Sequence, residues 1–427
     1  MKTASRTLGT IAAAAVAAVL AAAPAQALDL KTAVEEMLLN HKRLKSAEAD
    51  VAAARERARA SLKEWFPDFS LTGNYGYEIQ KKGAGENDSF LPPREVDFKL
   101  TQLLWDFGTA NATIEQARLA LEQAEATLAQ TRQALILEGV TAYLNLARSK
   151  RNLDFGRASE ANIKRQTELE DAKVARGAGL STDVLQAKSQ FAGAQGKRVS
   201  LEGGLAVARN RFRNVFGYEL PNLDELVQPK VPLDMLPASV EEAVEIAIKE
   251  NPQLKAAKVT EALARQAIVV TRNTEFLPKI NASGAWNQKE DVGGTRGGKT
   301  EKLVKVELTY NFDMGFTAVN SLRAAEHNLS STTNKYGDQR NVVEEQTRNA
   351  WETVQTQKAN ADFLNNQVNI SAEFLELARK ERALGNRSLI DVLAGETTLI
   401  DSQIAALSAE TDTAVAIYTL ISAMGRL

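Results

Sequence analysis

The sequence predicts a mainly α-helical protein with β-hairpins, written as a tandem structural repeat. Three observations predict it. The first is self-similarity at a nearly constant interval, the mark of a duplicated unit. Trp65-Phe66-Pro67-Asp68-Phe69-Ser70-Leu71-Thr72-Gly73 returns as Phe276-Leu277-Pro278-Lys279-Ile280-Asn281-Ala282-Ser283-Gly284, with Pro67/Pro278 and Gly73/Gly284 both 211 positions apart. Trp105-Asp106-Phe107-Gly108 returns as Phe312-Asp313-Met314-Gly315, 207 positions on. Gly177, Asp183, Val184 and Leu185 return as Gly385, Asp391, Val392 and Leu393, and Phe216-Gly217 as Met424-Gly425, all 208 positions on. The second observation is a period-two pattern after each proline, which marks strands. The third is a helical period that runs almost unbroken from there to the next glycine turn.

The elements follow in order. Residues 1–27 read as a signal peptide: Lys2 and Arg6 form a basic start, Ile11 to Ala23 an apolar run, and Ala25-Gln26-Ala27 a cleavage site. No later stretch reads as long and apolar enough for a transmembrane helix. The first repeat covers 28–216. Its first helix is expected from about Leu30 to Glu64, ended by Pro67. A strand follows near 67–82. Phe69, Leu71, Tyr75, Tyr77 and Ile79 point one way, and Ser70, Thr72, Asn74, Glu78 and Gln80 the other. A loop, Lys81 to Arg94, precedes a returning strand near 94–106, where Val96, Phe98 and Leu100 alternate with Asp97, Lys99 and Thr101. Then Ile114, Ala117, Leu121, Ala124, Leu128, Thr131 and Leu135 recur at three- and four-residue steps, a heptad seam. A helix from about Thr109 to Arg176 would be ~100 Å long at ~1.5 Å per residue. A tip turn at 177–182 and a helix to Phe216, half that length, complete the unit. A proline-rich linker spans 217–238. The second repeat, 239–427, has strands near 278–289 and 301–313 and a tip turn at 385–390. Two short helices stacked end to end match one long one, so each repeat supplies two full-length rods.

Composition excludes several classes. There is no cysteine, so neither a disulfide framework nor a lipid-modified cysteine is available. His41 and His327 read as ordinary surface residues, and a metal site would need more ligands. Acidic and basic side chains number 54 and 52, a formal charge of −2 that becomes −4 without Lys2 and Arg6. Nothing here points to nucleic acid, whose binders carry a basic face. No nucleophile–base set, phosphate loop or metal cluster points to an enzyme or a cofactor.

Strands with one apolar and one polar face fit either a soluble sheet lying on a core or a membrane barrel. The flanking helices are long, charged and spent on each other, which leaves the sheet without a core. The signal peptide also favours the barrel, with Tyr75, Tyr77 and Trp286 toward lipid and Thr72, Asn74 and Asn287 toward a lumen. Four strands cannot close a barrel, and lipid forbids open edges, so the chain must share its barrel with other copies.

The duplication, the two hairpins, and the turns Gly177-Ala178-Gly179-Leu180-Ser181-Thr182-Asp183-Val184 and Gly385-Asn386-Arg387-Ser388-Leu389-Ile390-Asp391-Val392 resemble the TolC family of outer-membrane efflux and type I secretion channels. The resemblance covers the whole mature chain. It implies a homotrimer with a shared twelve-stranded barrel in the outer membrane and a long helical barrel in the periplasm. It also implies two partners, a periplasmic adaptor and an inner-membrane transporter, which supplies the energy. Thr182 and Asp183 resemble the acceptors of the links that close the periplasmic end, Arg387 the donor, and Asp391 an acidic ring at the constriction. Asp183 fits a cap of the returning helix equally well. Arg382 stands where the family pattern has a gating tyrosine, and Ala394 where it has a second ring aspartate. A competing class is a periplasmic coiled-coil adaptor, but that would carry one hairpin, not a duplicated unit with two strand pairs. The sequence does not choose between small molecules and whole proteins as cargo.

Overall fold

A computed structural model describes residues 29–427 except 82, 84–87, 179, 221, 228, 312 and 313. The signal segment, Gly85, Asn87, Gly179, Pro221, Phe312 and Asp313 therefore lie outside the described residues. The first repeat contains α1 (Leu30–Asn40), α2 (Lys42–Ala60), β1 (Asp68–Tyr75), β2 (Glu78–Gln80), β3 (Ser89–Leu91), β4 (Arg94–Trp105), α3 (Thr109–Ala175) and α4 (Ser181–Phe216). The second contains α5 (Val240–Glu250), α6 (Pro252–Phe276), β5 (Lys279–Glu290), β6 (Gly298–Thr309), α7 (Thr317–Ala383) and α8 (Leu389–Ala423).

The two long helices α3 and α7 each have 67 residues. Along the half nearer the strands, α3 packs on α2 and α6, and α6 on α7; along the far half, α3 packs on α4 and α8, and α8 on α7. The molecule is thus a layer of four rods, in which α2 and α4 continue one another and so do α6 and α8. The α2/α4 rod and α7 form its two flanks. Over 18 residues α8 is apolar enough to cross a membrane, with a mean hydropathy of 1.3, contrary to the sequence expectation that no such stretch exists. Half of that window is buried against neighbouring rods, so its apolarity fills the core of the layer.

The first helix is not continuous from Leu30 to Glu64. It breaks at His41, whose backbone is extended (φ −69°, ψ 125°) and whose Nδ1 accepts from the Arg43 N–H at 3.2 Å. His41 is thus a helix cap rather than a bystander, and burial and the Arg43 charge lower its pKa. The second repeat breaks at the matching place. Asn251 accepts from the N–H groups of Gln253 (2.8 Å) and Leu254 (3.4 Å), with Pro252 opening α6. Asn251 Nδ2 also donates to the Ala423 carbonyl (2.9 Å), and Arg426 holds Glu250 through two bonds of 2.8 and 2.9 Å. Gly425 permits this approach. Its φ is +81°, and a Cβ there would lie 2.7 Å from the Glu250 carbonyl oxygen.

These breaks turn α5 onto a second cluster, where Ala243 is buried with Val354, Ile417 and Leu420, and α1 onto the main core. Met37, Leu135, Tyr143, Leu146, Phe212, Val215 and Phe216 are buried together, with Phe212 and Phe216 stacked at 4.2 Å. The linker is pinned to this core. The Tyr143 hydroxyl donates to the Val227 carbonyl (2.8 Å) and accepts from the Val227 N–H (3.1 Å), while Lys150 pairs with Asp224 (2.7 Å) and Asp154 (2.8 Å).

Strands β1, β4, β5 and β6 form one antiparallel sheet in the order β1-β4-β5-β6. The expectation of one strand to residue 82 fails at Gly76-Tyr77. Pro92 and Pro93 interrupt the facing chain, and residues 78–80 pair with 89–91 in a separate two-stranded ribbon. Tyr77 and Ile79 therefore lie beyond the main sheet, although Tyr77 still stacks on Phe90 at 5.8 Å. Likewise β6 ends at Thr309, short of Tyr310.

Burial pushes the Tyr143 pKa from 10.0 up to about 12, partly opposed by its bond to Val227. The folded state holds this proton more tightly than the unfolded chain. The contribution to stability is therefore complete below pH 10 and lost as pH rises toward 12. Proteolysis within the linker is expected to accelerate across that window. Tyr143→Phe should weaken linker docking at neutral pH by about 1–3 kcal/mol, through the unpaired Val227 groups, and flatten the alkaline step. An alkaline step of unchanged size in Tyr143→Phe would assign it to another group.

Candidate functional site

The strands and the tip turns are the two ends of the candidate conduit. Partners directly opposite in a sheet share a face. Phe69 pairs with Leu100, Leu71 with Phe98, and Phe98 with Trp286, so these side chains lie together. Their rings form a ladder, Phe69 to Phe98 at 6.2 Å and Phe98 to Trp286 at 5.0 Å. Val304, Val306 and Leu308 continue the face and are 89, 69 and 63 % exposed. At its upper end the Arg94 guanidinium lies 5.7 Å from the Tyr75 ring. The opposite face carries Thr72, Asn74 and Asn287 among charges. Lys289 pairs with Glu95 (2.8 Å) and approaches Glu301 (3.7 Å), which also meets Lys299, and Lys305 pairs with Glu307 (3.0 Å). By register this face holds Asp68, Glu95, Asp97, Glu301 and Glu307 against Lys99, Lys279, Lys289, Lys299 and Lys305. A bulge at Leu104 bends β4 where it leaves the sheet toward α3.

The tip lies at the other end of the long helices. Gly177 and Gly385 take positive φ, +77° and +82°, and let each chain reverse. Ser388 caps α8 by accepting from the Asp391 N–H at 3.2 Å, so Asp391 is a first-turn residue with its carboxylate exposed. Asp183 holds the same place in α4 and is half-buried; its N–H donates to the Leu180 carbonyl at 3.1 Å, and Thr182 beside it is exposed. Arg387 is not directed to the first turn. Its Nε donates to Glu381 at 2.6 Å and its guanidinium lies 5.2 Å from the Phe374 ring, both within its own repeat. Arg382 makes the cross-link instead. Its Nη2 donates to Glu170 of α3 at 2.8 Å, and its Nη1 donates to the Arg387 carbonyl at 3.3 Å.

The structure thus places Arg382 and Arg387 side by side and leaves Asp391 and Thr182 facing solvent. It also shows residues that sequence reasoning missed. Glu170 is 5 % exposed and receives both Lys173 (3.4 Å) and Arg382. Glu396, 4 % exposed, is paired with Arg379. A buried carboxylate is tolerable only while paired. The signal was present in the spacing. Glu170 continues the buried series Ile163, Thr167, and Glu396 lies between Leu393 and Ile400, so each puts a charge at a core position of a heptad. Beneath them Ile163, Ala187, Leu389 and Leu393 form an apolar cluster that joins the two repeats. Among the described residues no group of His, Cys, Asp and Glu is placed to hold a metal ion.

Comparison with known proteins agrees with this architecture. The family model for outer membrane efflux proteins matches residues 33–218 and again 243–426, once per repeat. The outer membrane protein TolC of Vibrio cholerae is 26 % identical over 395 residues, covering 91 % of this chain and 88 % of its relative. The outer membrane efflux protein BepC of Brucella suis is 24 % identical, covering 91 % and 83 %. The solved outer membrane protein VceC of Vibrio cholerae superposes with a TM-score of 0.78 at 19 % identity, covering 93 % of this chain and 96 % of that one. The duplicated match does not favour the adaptor alternative, and the chain is an outer-membrane channel of an export system, efflux or type I secretion, with a helical portion in the periplasm. With both repeats matched, it belongs to the outer membrane efflux protein family.

Proposed function

We propose that three copies of this chain assemble into one exit duct, closed at its periplasmic tip by side chains of the two turns and lacking catalytic turnover of its own. The observation that carries the reading is the four-stranded sheet whose two edge strands, β1 and β6, have no further strand partner among the described residues. A strand edge in lipid leaves N–H and C=O groups unpaired at several kcal/mol each. Pairing β1 of one copy with β6 of the next satisfies both edges and closes a twelve-stranded barrel. The apolar face then meets lipid and the charged face lines water. Energy and cargo come from an inner-membrane transporter through a periplasmic adaptor, the arrangement in which channels of this family work.

At the tip, Asp391 with Asp183 and Thr182 forms the polar lining of the constriction. A ring of carboxylates there attracts and retards multivalent cations. Arg382 acts as the latch within each copy, because it ties the second turn to Glu170 of the first repeat. Arg387 braces the turn through Glu381.

In planar bilayers, Asp391→Ala should leave the trimer intact, since a first-turn residue contributes only about 1 kcal/mol to its helix. It should weaken block by trivalent cations added from the periplasmic side. Arg387→Ala should raise conductance. Arg382→Ala should raise it further, because Glu170 is left buried with Lys173 alone. Unchanged block in the first variant and unchanged conductance in the other two would place the gate elsewhere.

Single cysteines introduced into this cysteine-free chain test the barrel. A membrane-impermeant thiol reagent should label Asn74→Cys and Asn287→Cys and spare Leu71→Cys and Val306→Cys. The reverse pattern would mean that the faces are assigned the wrong way round.

A further inference from the structure

We infer that the apolar face of the sheet carries a binding site for a phosphorylated glycolipid of the outer leaflet, of the lipid A class. Lys302 holds a phosphate, and a hollow at Gly284 takes an acyl chain. The inference rests on the barrel reading above, in which this face meets lipid.

The strand register sorts the face into rows. Ile280 lies opposite Leu308, and Ala282 opposite Val306. Next come Phe69, Leu100, Gly284 and Val304, then Leu71, Phe98, Trp286 and Lys302. Above them stand Gly73, Val96, Gln288 and Thr300, then Tyr75, Arg94, Glu290 and Gly298. The continuous apolar band therefore ends at the row of Lys302. In the row above, the Thr300 hydroxyl donates to Gln288 Oε1 at 2.7 Å. The long helices leave the sheet at its other end, so this boundary belongs to the outer leaflet, where acyl chains give way to head groups. Trp286 is at home there, in the aromatic girdle of a barrel. A lysine on the lipid side is tolerable only where its ammonium reaches the head groups.

Lys302 has no carboxylate to meet. Lys299 and Lys305, on the opposite face, pair with Glu301 and Glu307. Lys302 is exposed, and among the described residues it makes no ion pair. The acid on its own face, Glu290, stands two rows higher, ~13 Å away at ~3.3 Å per residue, and lies 3.9 Å from Arg94. Closing the barrel supplies none. The residues of β1 on this face are Phe69, Leu71, Gly73 and Tyr75, so the strand that flanks β6 in the next copy brings no acid in any register. The counter-charge has to come from outside the protein, and anionic head groups carry it.

The row beneath Lys302 is hollowed. Leu100, Val304 and the rings of Phe69, Phe98 and Trp286 surround Gly284, with Lys302 on the rim. A Cβ on Gly284 would meet nothing within 4 Å. The charge thus stands on the head-group side and the hollow on the acyl side, the order of those parts in a membrane lipid. Lipid A presents phosphates in the leaflet where this row lies.

Native mass spectrometry tests the site, because one mass counts both chains and bound lipids. Purified protein in mild detergent is titrated with lipid A. The wild type should hold about one lipid per chain. Lys302→Gln should weaken retention by roughly tenfold or more, the loss of one charge-assisted contact. Gly284→Leu, which fills the hollow and keeps the charge, should weaken it too. Lys299→Gln, which removes a charge from the opposite face, should bind as the wild type does. Lipid A stripped of its phosphates and phosphatidylglycerol should both bind the wild type more weakly than lipid A. Equal retention by wild type and Lys302→Gln, equal loss in Lys299→Gln, or phosphatidylglycerol bound as tightly as lipid A overturns the site. A single-chain mass overturns the trimer reading instead, and the lipid is still counted per chain. Thiol labelling at Leu71→Cys reads the face alone and separates failure of the site from failure of the barrel.

Discussion

The absence of water in a bilayer's interior governs this molecule. In lipid every backbone N–H and C=O must find its partner in protein. A four-stranded sheet satisfies that demand internally and fails it at β1 and β6. An apolar outer face with two unsatisfied edges is stable only inside a closed ring. The duplication in the sequence follows the same logic. One hairpin with its helices would need six copies to close the same ring, whereas a fused pair needs three and allows its two halves to diverge.

Divergence is visible at the tip. The repeats share their glycine turns, their first-turn aspartates and their 67-residue helices. Their charges differ. The second turn carries Arg382 and Arg387, which the first lacks, and Glu170 of the first repeat is the buried acceptor that Arg382 finds. Asymmetry between repeats thus creates a bond that two identical units could not make. The helix breaks show the opposite tendency. Both repeats interrupt their first helix at a polar cap, His41 and Asn251, and turn a short helix onto an apolar cluster.

Much of this was legible in the sequence because it is periodic. The alternation of Phe69, Leu71 and Val96 against Ser70, Thr72 and Asp97 gives both the strands and their faces, and the heptads give the rods. The features that were not legible are aperiodic. The break at His41 depends on one side chain capping its own backbone, in a stretch whose composition is helical throughout. The separate ribbon after Gly76 depends on Pro92 and Pro93 facing it across the hairpin, which a strand pattern read along one segment does not register. The Glu170–Arg382 bond joins residues 212 positions apart, and only the charge at a core heptad position hints at it. Arg387 illustrates the limit of resemblance: its place in the turn suggests the donor of a link to the first turn, while its partner here is Glu381 at the end of α7, in its own repeat.

The charged face of the sheet has five carboxylates and five lysines, several locked in pairs across strands. Threefold repetition multiplies the count and leaves the balance at zero. Walls whose charges cancel over a few ångströms produce a field that fades before it reaches the middle of a wide pore, and salt shortens its range further. The outer mouth is therefore electrically quiet. It neither gathers one sign of ion from the surroundings nor repels a charged or folded cargo on its way out, and in the proposed trimer discrimination would fall to the tip turns at the other end of the long helices.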